Sequence, residues 1–147
     1  MINEPTAASL AYGFQEQAQS NNRHVLIFDF GGGTFDVTIV QIKDCKYQVI
    51  ATGGNDHLGG EDLDNALVQY MAKKFEEEHG VDITKMSASL SRLKIECEKA
   101  KLGLSSSAEC NVYLPGLIKE PKRVDWDTTI TRGEFESACQ PHFDATI

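Results

Sequence analysis

The feature that most constrains this chain is a run of three glycines at 31–33, set between two short runs of β-branched and aromatic residues. Those runs occupy residues 25–28 and 37–42, and a third follows at 47–50 after a gap of turn length. Glycine permits tight turns and a close approach of the backbone to another group. The pattern therefore predicts an antiparallel meander of three strands with the glycines in its first turn.

Two amphipathic segments and a second pair of strands follow the meander. Apolar residues recur at helical spacing over residues 63–79 and again over 90–104, which predicts two long helices. Alternating patterns at 112–114 and 124–130 predict two strands around a loop at 115–123. This order of elements is typical of a mixed α/β or α+β chain.

Shorter helical patterns stand near both ends of the chain. Residues 3–6 place a capping side chain and a proline before a helical stretch at 7–12. Thr131 and Glu134 have the spacing of a capping box, so a last helix is expected to begin there, and Pro141 is expected to interrupt it. Because the chain stops soon after this helix begins, we expect it to be a fragment of a larger domain.

Composition disfavours several classes of function. The 22 acidic residues outnumber the 14 basic ones and give a formal net charge of -8, which disfavours binding to nucleic-acid phosphates. No apolar run has the length that spans a bilayer, so no membrane insertion is expected. The four cysteines are Cys45, Cys97, Cys110 and Cys139. They are too scattered for a thiolate metal site, and Cys97 and Cys139 are expected to be reduced apolar fillers within helices.

The segment 29–36 carries the strongest chemical signal, because one aspartate stands on each side of the glycine turn. Backbone N–H groups of such a turn can face a phosphate, and Thr34 adds a hydroxyl donor. Asp29 and Asp36 are suited to hold Mg²⁺ through its waters or to orient an attacking water. The alternative is a plain glycine-rich hairpin with solvated aspartates, which three glycines alone would favour.

Motifs along nearly the whole chain are similar to those of the ATPase domain of the 70-kilodalton heat-shock (DnaK-type) chaperones. They are Ile2-Asn3-Glu4-Pro5-Thr6-Ala7-Ala8, Phe28-Asp29 through Asp36-Val37, His57-Leu58-Gly59-Gly60-Glu61-Asp62, Glu96-Cys97-Glu98-Lys99-Ala100-Lys101 and Ile130-Thr131-Arg132. The resemblance implies the second lobe of an actin-like, ribonuclease H-like ATPase fold. It implies an incomplete sheet subdomain of residues 1–58 and 137–147 and a small α+β subdomain of residues 59–136.

The same resemblance implies a site for ATP or ADP with Mg²⁺. The phosphate-binding turn of the family corresponds to Gly31, Gly32, Gly33 and Thr34. Asp29 and Asp36 would lie near the Mg²⁺ and the attacking water, with Glu4 nearby. The adenosine would be met by Gly60, Glu98, Lys101 and Ser105.

The last three of these residues can be compared with helical geometry. At about 100° per residue, Glu98, Lys101 and Ser105 fall within an arc of roughly 60°, so they share one face of the second predicted helix. Its apolar stripe is centred roughly 90° away. Without the resemblance, a solvated charged face would be the favoured interpretation. The sequence departs from the family pattern beside this face, since Leu102 stands where many members have an arginine. Gly103 follows inside the predicted helix, where a glycine costs about 1 kcal/mol relative to alanine.

The function implied by the resemblance is that of a chaperone in protein folding and the heat-shock stress response. In the parent protein, ATP binding and slow hydrolysis would control a separate domain that grips unfolded polypeptide. Exchange factors on the small subdomain and J-domain co-chaperones are the expected partners, and the expected location is cytoplasmic. The isolated chain is expected to lack ATPase activity. The alternative is a chaperone-like module that binds nucleotide or partners without turnover.

Overall fold

The computed structural model describes Ala7, Ala8, Ala11 and residues 22–43, 46–120 and 122–147. The chain forms two compact units, the first ending at Gly60 and the second running from Glu61 to Ile147. Ala7, Ala8 and Ala11 are helical, whereas the predicted cap at 3–6 lies outside the described residues. The subdomain boundaries predicted at 58/59 and 136/137 remain a prediction about the intact protein.

The first unit contains a three-stranded antiparallel sheet in the order β1-β2-β3. Its strands are β1, Asn22–Phe30, β2, Phe35–Lys43, and β3, Lys46–Asn55. The central strand β2 supplies the buried side chains, which are Phe35, Thr38, Val40 and Ile42. The predicted meander is thereby confirmed, including the position of the three glycines between its first two strands.

The second unit contains three helices and a two-stranded antiparallel sheet. Helix α1 (Gly60–His79) begins at the unit boundary and is followed by a 3-10 turn (Ile83–Lys85) and helix α2 (Ser87–Leu104). Strands β4 (Glu109–Ile118) and β5 (Val124–Thr131) come next, and helix α3 (Arg132–Asp144) follows them. Both long helices lie where helical periodicity predicts them. The predicted capping box at the start of α3 is present, with Thr131 and Glu134 bonded reciprocally.

One contiguous core joins the helices and the hairpin of the second unit. Its fully buried members include Leu67, Met71, Phe75, Leu93 and Ile130. The Trp126 ring meets that of Phe75 edge-on at 5.1 Å, and its Nε1 donates to Glu78 Oε2 at 2.8 Å. Aromatic pairs of this kind add to the free energy gained from burial alone.

Cys97 and Cys139 are fully buried free thiols in this second unit. Burial raises the pKa of Cys97 to about 12 and that of Cys139 to about 11. Both thiols are therefore protonated at neutral pH and pack as small apolar groups, as expected. None of the helices described is long and apolar enough to cross a membrane.

Two details of the secondary structure differ from the pattern-based expectations. The predicted loop at 115–123 is too long, because the ladder shifts register between Leu114 and Ile118 and then resumes with Ile118 opposite Val124. Gly116 absorbs the shift in a left-handed conformation with φ of 55°. Pro141 does not interrupt α3. Its fixed φ suits a helix, and it removes one backbone N–H donor from the last turn.

Candidate functional site

The glycine turn of the first unit is closed by a hydrogen bond from Gly31 N–H to the Thr34 carbonyl oxygen at 2.8 Å. Phe30 and Phe35 pair at the ends of β1 and β2, so the turn spans 31–34. Residues 32–34 are exposed. A Cβ atom on either Gly32 or Gly33 would meet no atom within 4 Å, so the rim of the turn is open. A ligand could therefore approach this backbone closely.

Asp29 and Asp36 are direct partners across β1 and β2, one step outside the turn. Both residues are exposed. Like charges placed opposite each other in an antiparallel pair destabilise a sheet. A cation, or a ligand that brings one, would relieve this repulsion. The strand register thus places the two aspartates opposite each other, which spacing alone did not establish.

A second glycine pair packs against this turn. Gly60 N–H donates to the Gly31 carbonyl oxygen at 2.9 Å. A Cβ atom on Gly59 would lie 2.5 Å from the backbone of Gly32, so only glycine fits there. The turn is therefore supported from outside its own hairpin.

Gly54, on the neighbouring strand β3, packs against the start of β2 in the same hairpin. A Cβ atom on Gly54 would overlap the carbonyl oxygen of Phe35 and lie 3.2 Å from the Cα atom of Asp36. Sequence reasoning did not assign a role to Gly54 or Gly59. Both glycines occur in pairs, at 53–54 and 59–60, and this could have marked them. The role of each glycine, however, depends on contacts with residues more than 15 positions away along the chain.

The donor set of this turn fits Mg²⁺ held together with phosphate. Mg²⁺ usually retains several waters and binds one or two carboxylates plus substrate phosphates. Asp29 and Asp36 supply two carboxylates, and the glycine turn with Thr34 supplies donors for phosphate oxygens. Among the described residues no group of three or more acidic, histidine or cysteine side chains could hold a metal by itself. The set is therefore suited to a metal that arrives with a polyanion.

The proposed adenosine face lies on α2 in the second unit. Glu98 and Ser105 are exposed, and Lys101 is half-buried, with its Nζ 2.7 Å from Asp64 Oδ2. Leu102 beside them is 64% exposed, whereas the buried side of the helix carries Cys97 and its apolar neighbours. Glu98 and Lys101 therefore lie on one side of α2, and Ser105 follows at its C-cap.

The predicted site residues fall into two groups. The first unit brings together Asp29, Asp36, the turn at 31–34 and Gly60. The second unit holds Glu98 and Lys101 on α2 and Ser105 at its C-cap, and Glu4 lies outside the described residues. Asp64, which binds Lys101, was missed by sequence reasoning because 37 residues separate the two.

Comparison with known proteins gives a family match over the whole chain. A sequence model of the family described as "Hsp70 protein" matches residues 1–147. The heat shock 70 kDa protein of Neurospora crassa is 44% identical over 147 residues, which cover 100% of this chain and 22% of that protein. The chloroplastic heat shock 70 kDa protein 7 of Arabidopsis thaliana is 44% identical over 98% of this chain and 20% of its own length.

A mixed α/β architecture does not by itself define a function. The family match is specific. This chain belongs to the Hsp70 family. Its mixed architecture agrees with the actin-like fold of the Hsp70 ATPase domain. The chain spans about a fifth of the length of these two relatives.

Proposed function

We propose that this chain forms part of the ATP-binding and hydrolysing domain of an Hsp70 chaperone, with the glycine turn at 31–34 holding nucleotide phosphates. The observation that carries this proposal is the direct pairing of Asp29 with Asp36 across the turn. Two exposed carboxylates opposite each other cost stability unless a cation is shared between them. Family membership implies binding of ATP or ADP in general, and we propose that Mg²⁺ accompanies the nucleotide.

The chemistry of the turn follows from its groups. Exposed backbone N–H groups and the Thr34 hydroxyl donate to phosphate oxygens. Asp29 and Asp36 accept hydrogen bonds from waters, and one of them can orient the water that attacks the terminal phosphate. Bound Mg²⁺ supplies neutralisation of the charge that develops on the phosphates. Positioning and charge stabilisation account for most catalysis of phosphoryl transfer, and a rigid turn would hold the phosphates in a fixed position.

The adenosine is assigned to α2 and to Gly60. Glu98 can accept from ribose hydroxyls, while Lys101 and Ser105 can donate, and the helical spacing of the three residues places them on one side. Glu4 is proposed to contribute near the Mg²⁺. In the intact protein, hydrolysis would control the grip of a separate domain on unfolded polypeptide.

Exchange factors and J-domain co-chaperones are proposed as partners on the basis of family membership. The compartment is also a proposal. Relatives of equal identity include chloroplastic proteins of Arabidopsis thaliana and Pisum sativum. We propose a cytoplasmic location for this chain.

A second candidate is a module that binds nucleotide or partners without turnover. It is favoured by Leu102, which exposes 64% of its surface on the adenosine side of α2. A leucine there offers apolar contact but no planar cation for the adenine ring. The two candidates differ in turnover and agree on Mg²⁺-dependent nucleotide binding.

The experiment measures binding of ATP by calorimetry with and without Mg²⁺, on the longest natural polypeptide that contains this chain. Asp29→Asn and Asp36→Asn should each weaken Mg²⁺-dependent binding by about tenfold, the effect of 1.4 kcal/mol. Glu136→Gln removes an exposed carboxylate of α3 and serves as the control. Equal binding by all four proteins in both conditions would refute the proposal. Phosphate release by the same polypeptide separates the two candidates.

A further inference from the structure

The ion pair between Asp64 and Lys101 joins α1 to α2 and is largely withdrawn from water. Nζ of Lys101 lies 2.7 Å from Oδ2 of Asp64, and the two side chains are only 20% and 26% exposed. Lys99 and Glu96 on α2 are separated by the same distance, but the lysine there is 65% exposed. Coulomb attraction is stronger where water is excluded. The Asp64 pair is therefore the more rigid of the two.

The second carboxylate oxygen of Asp64 is the unusual feature of this pair. Oδ1 is buried and accepts no hydrogen bond from any residue in the described part of the chain. The charge of Asp64 also contributes to the raised pKa of both buried thiols, after the larger effect of burial. Asp64 therefore lies near the two buried thiols as well as the Lys101 ammonium.

Oδ1 has lost its hydration without gaining a hydrogen bond within the described part of the chain, whereas Oδ2 has a strong bond to Lys101. Replacement of a buried ion pair by apolar residues of similar size is often neutral or stabilising. Folding alone thus gives little reason for an aspartate here. The position in which the pair holds the Lys101 ammonium gives a reason for the aspartate.

Lys101 lies on the same side of α2 as Glu98 and Ser105. A free lysine side chain is a flexible four-carbon stem that loses rotamer entropy when a ligand orders it. An anchor that orders the stem in advance removes part of this cost from ligand binding. The ammonium carries three donor hydrogens, so a bond to Asp64 is compatible with a bond to a ligand.

We propose that Asp64 is a positioning residue for nucleotide binding, which touches no ligand but holds the Lys101 ammonium in its ligand-binding position. This inference rests on the proposed role of Lys101 in adenosine binding. It makes Asp64 a determinant of affinity that acts only through Lys101.

A double-mutant cycle tests this dependence. Asp64→Asn, Lys101→Met and the double variant are compared for ADP affinity by calorimetry, in the longest natural polypeptide that contains this chain. Glu96→Gln is the matched control, because it breaks the exposed ion pair to Lys99 at the same distance. Thermal unfolding of each variant verifies that it is folded.

We expect Lys101→Met to weaken ADP binding about tenfold, because it removes one directed contact with the ligand. We expect Asp64→Asn to weaken binding about fivefold, because the Lys101 side chain is then no longer ordered in advance. The double variant should bind as weakly as Lys101→Met alone, and Glu96→Gln should bind as the wild type does. Equal weakening by Asp64→Asn in both backgrounds would assign Asp64 a purely structural role and overturn the inference.

Failure of the inference can be told apart from failure of the proposed function. If Lys101→Met weakens binding and Asp64→Asn does not, the adenosine site stands and the inference is wrong. If Lys101→Met has no effect, the adenosine assignment is wrong and the inference falls with it.

A measurement on the unaltered chain covers the case in which Asp64→Asn does not fold. NMR relaxation of the lysine ammonium groups should show Lys101 ordered on the nanosecond timescale, relative to the exposed Lys94. Equal mobility of the two ammonium groups would contradict an anchored Lys101.

Discussion

Gly103 lies so close to Cys110 that a Cβ atom on residue 103 would sit 2.5 Å from the Cys110 sulfur. Gly103 is inside α2 and Cys110 is on β4, so this contact forms where the helix packs on the hairpin. A glycine in a helix interior costs about 1 kcal/mol relative to alanine. The apparent weakness in the helix is therefore a requirement of its packing.

We predict that the effect of Gly103→Ala on the free energy of unfolding depends on the residue at position 110. With Cys110 present, the added methyl group should overpack the contact and destabilise the second unit by about 1–3 kcal/mol. In a Cys110→Ala background the same substitution should be neutral or stabilise by up to about 1 kcal/mol. Urea unfolding of the four proteins gives both values. An equal loss in both backgrounds would show that Cys110 is not the cause.

Glu134 links the start of α3 to α1, and its ionisation should make stability depend on acid pH. Hydrogen bonds from Thr131 N–H, from the Thr131 hydroxyl and from Tyr70 lower the pKa of Glu134 from 4.5 to about 2. The Tyr70 hydroxyl donates at 2.8 Å, and its pKa is raised to about 12, mainly by burial and then by this bond.

Because the folded-state pKa is depressed, the stabilisation by Glu134 is complete above about pH 4.5 and is lost as the pH falls towards about 2. We predict that Glu134→Gln reduces the slope of unfolding free energy against pH in this window, while Glu136→Gln leaves it unchanged. Thr131→Ala should cost about 1 kcal/mol at neutral pH through loss of the cap. Parallel slopes for wild type and Glu134→Gln would contradict the assignment.

The isolated chain of 147 residues is predicted to release no phosphate from ATP at a significant rate. Phosphoryl transfer needs groups positioned around the whole phosphate chain, and the described residues supply one turn and one helix face. Steady phosphate release that survives removal of contaminants and disappears in Asp29→Asn would refute this.

Hydrogen exchange should be slowest in the region 59–136. The core cluster lies within the second unit, whereas several large apolar residues of the sheet are exposed, namely Leu26, Phe28, Ile39, Val49 and Ile50. Amides in well-buried cooperative units exchange only on global opening. This order of stability would be contradicted if amides in the strands at 25–52 exchanged as slowly as those in the region 59–136, or more slowly.

Leu102→Arg should strengthen ADP binding in the longest natural polypeptide that contains this chain. Leu102 is 64% exposed beside Glu98 and Lys101, so a long cation fits without disturbing the core. An arginine stacked on adenine contributes about 0.5–2 kcal/mol, or about twofold to thirtyfold in affinity. Tripolyphosphate, which lacks the base, should bind both proteins equally in calorimetry. Unchanged or weaker ADP binding by a folded variant would show that the adenosine face is placed wrongly.

The amino-acid sequence alone determined the elements of this protein. Periods of two and of 3.6 residues located the strands and the long helices, and the spacing of Thr131 and Glu134 located the start of α3. The order of motifs also determined the family. These signals are local, because each depends on residues within a few positions of one another.

Only the tertiary structure decided which distant residues meet. The contact of Gly59 with Gly32, the ion pair of Asp64 with Lys101 and the contact of Gly103 with Cys110 all join separate elements. Such contacts depend on how elements pack in three dimensions, and residue spacing along the chain does not encode that directly. Local propensity was overridden at Pro141, since burial of Cys139 and the capping box stabilise a helix in which the proline lacks an N–H donor.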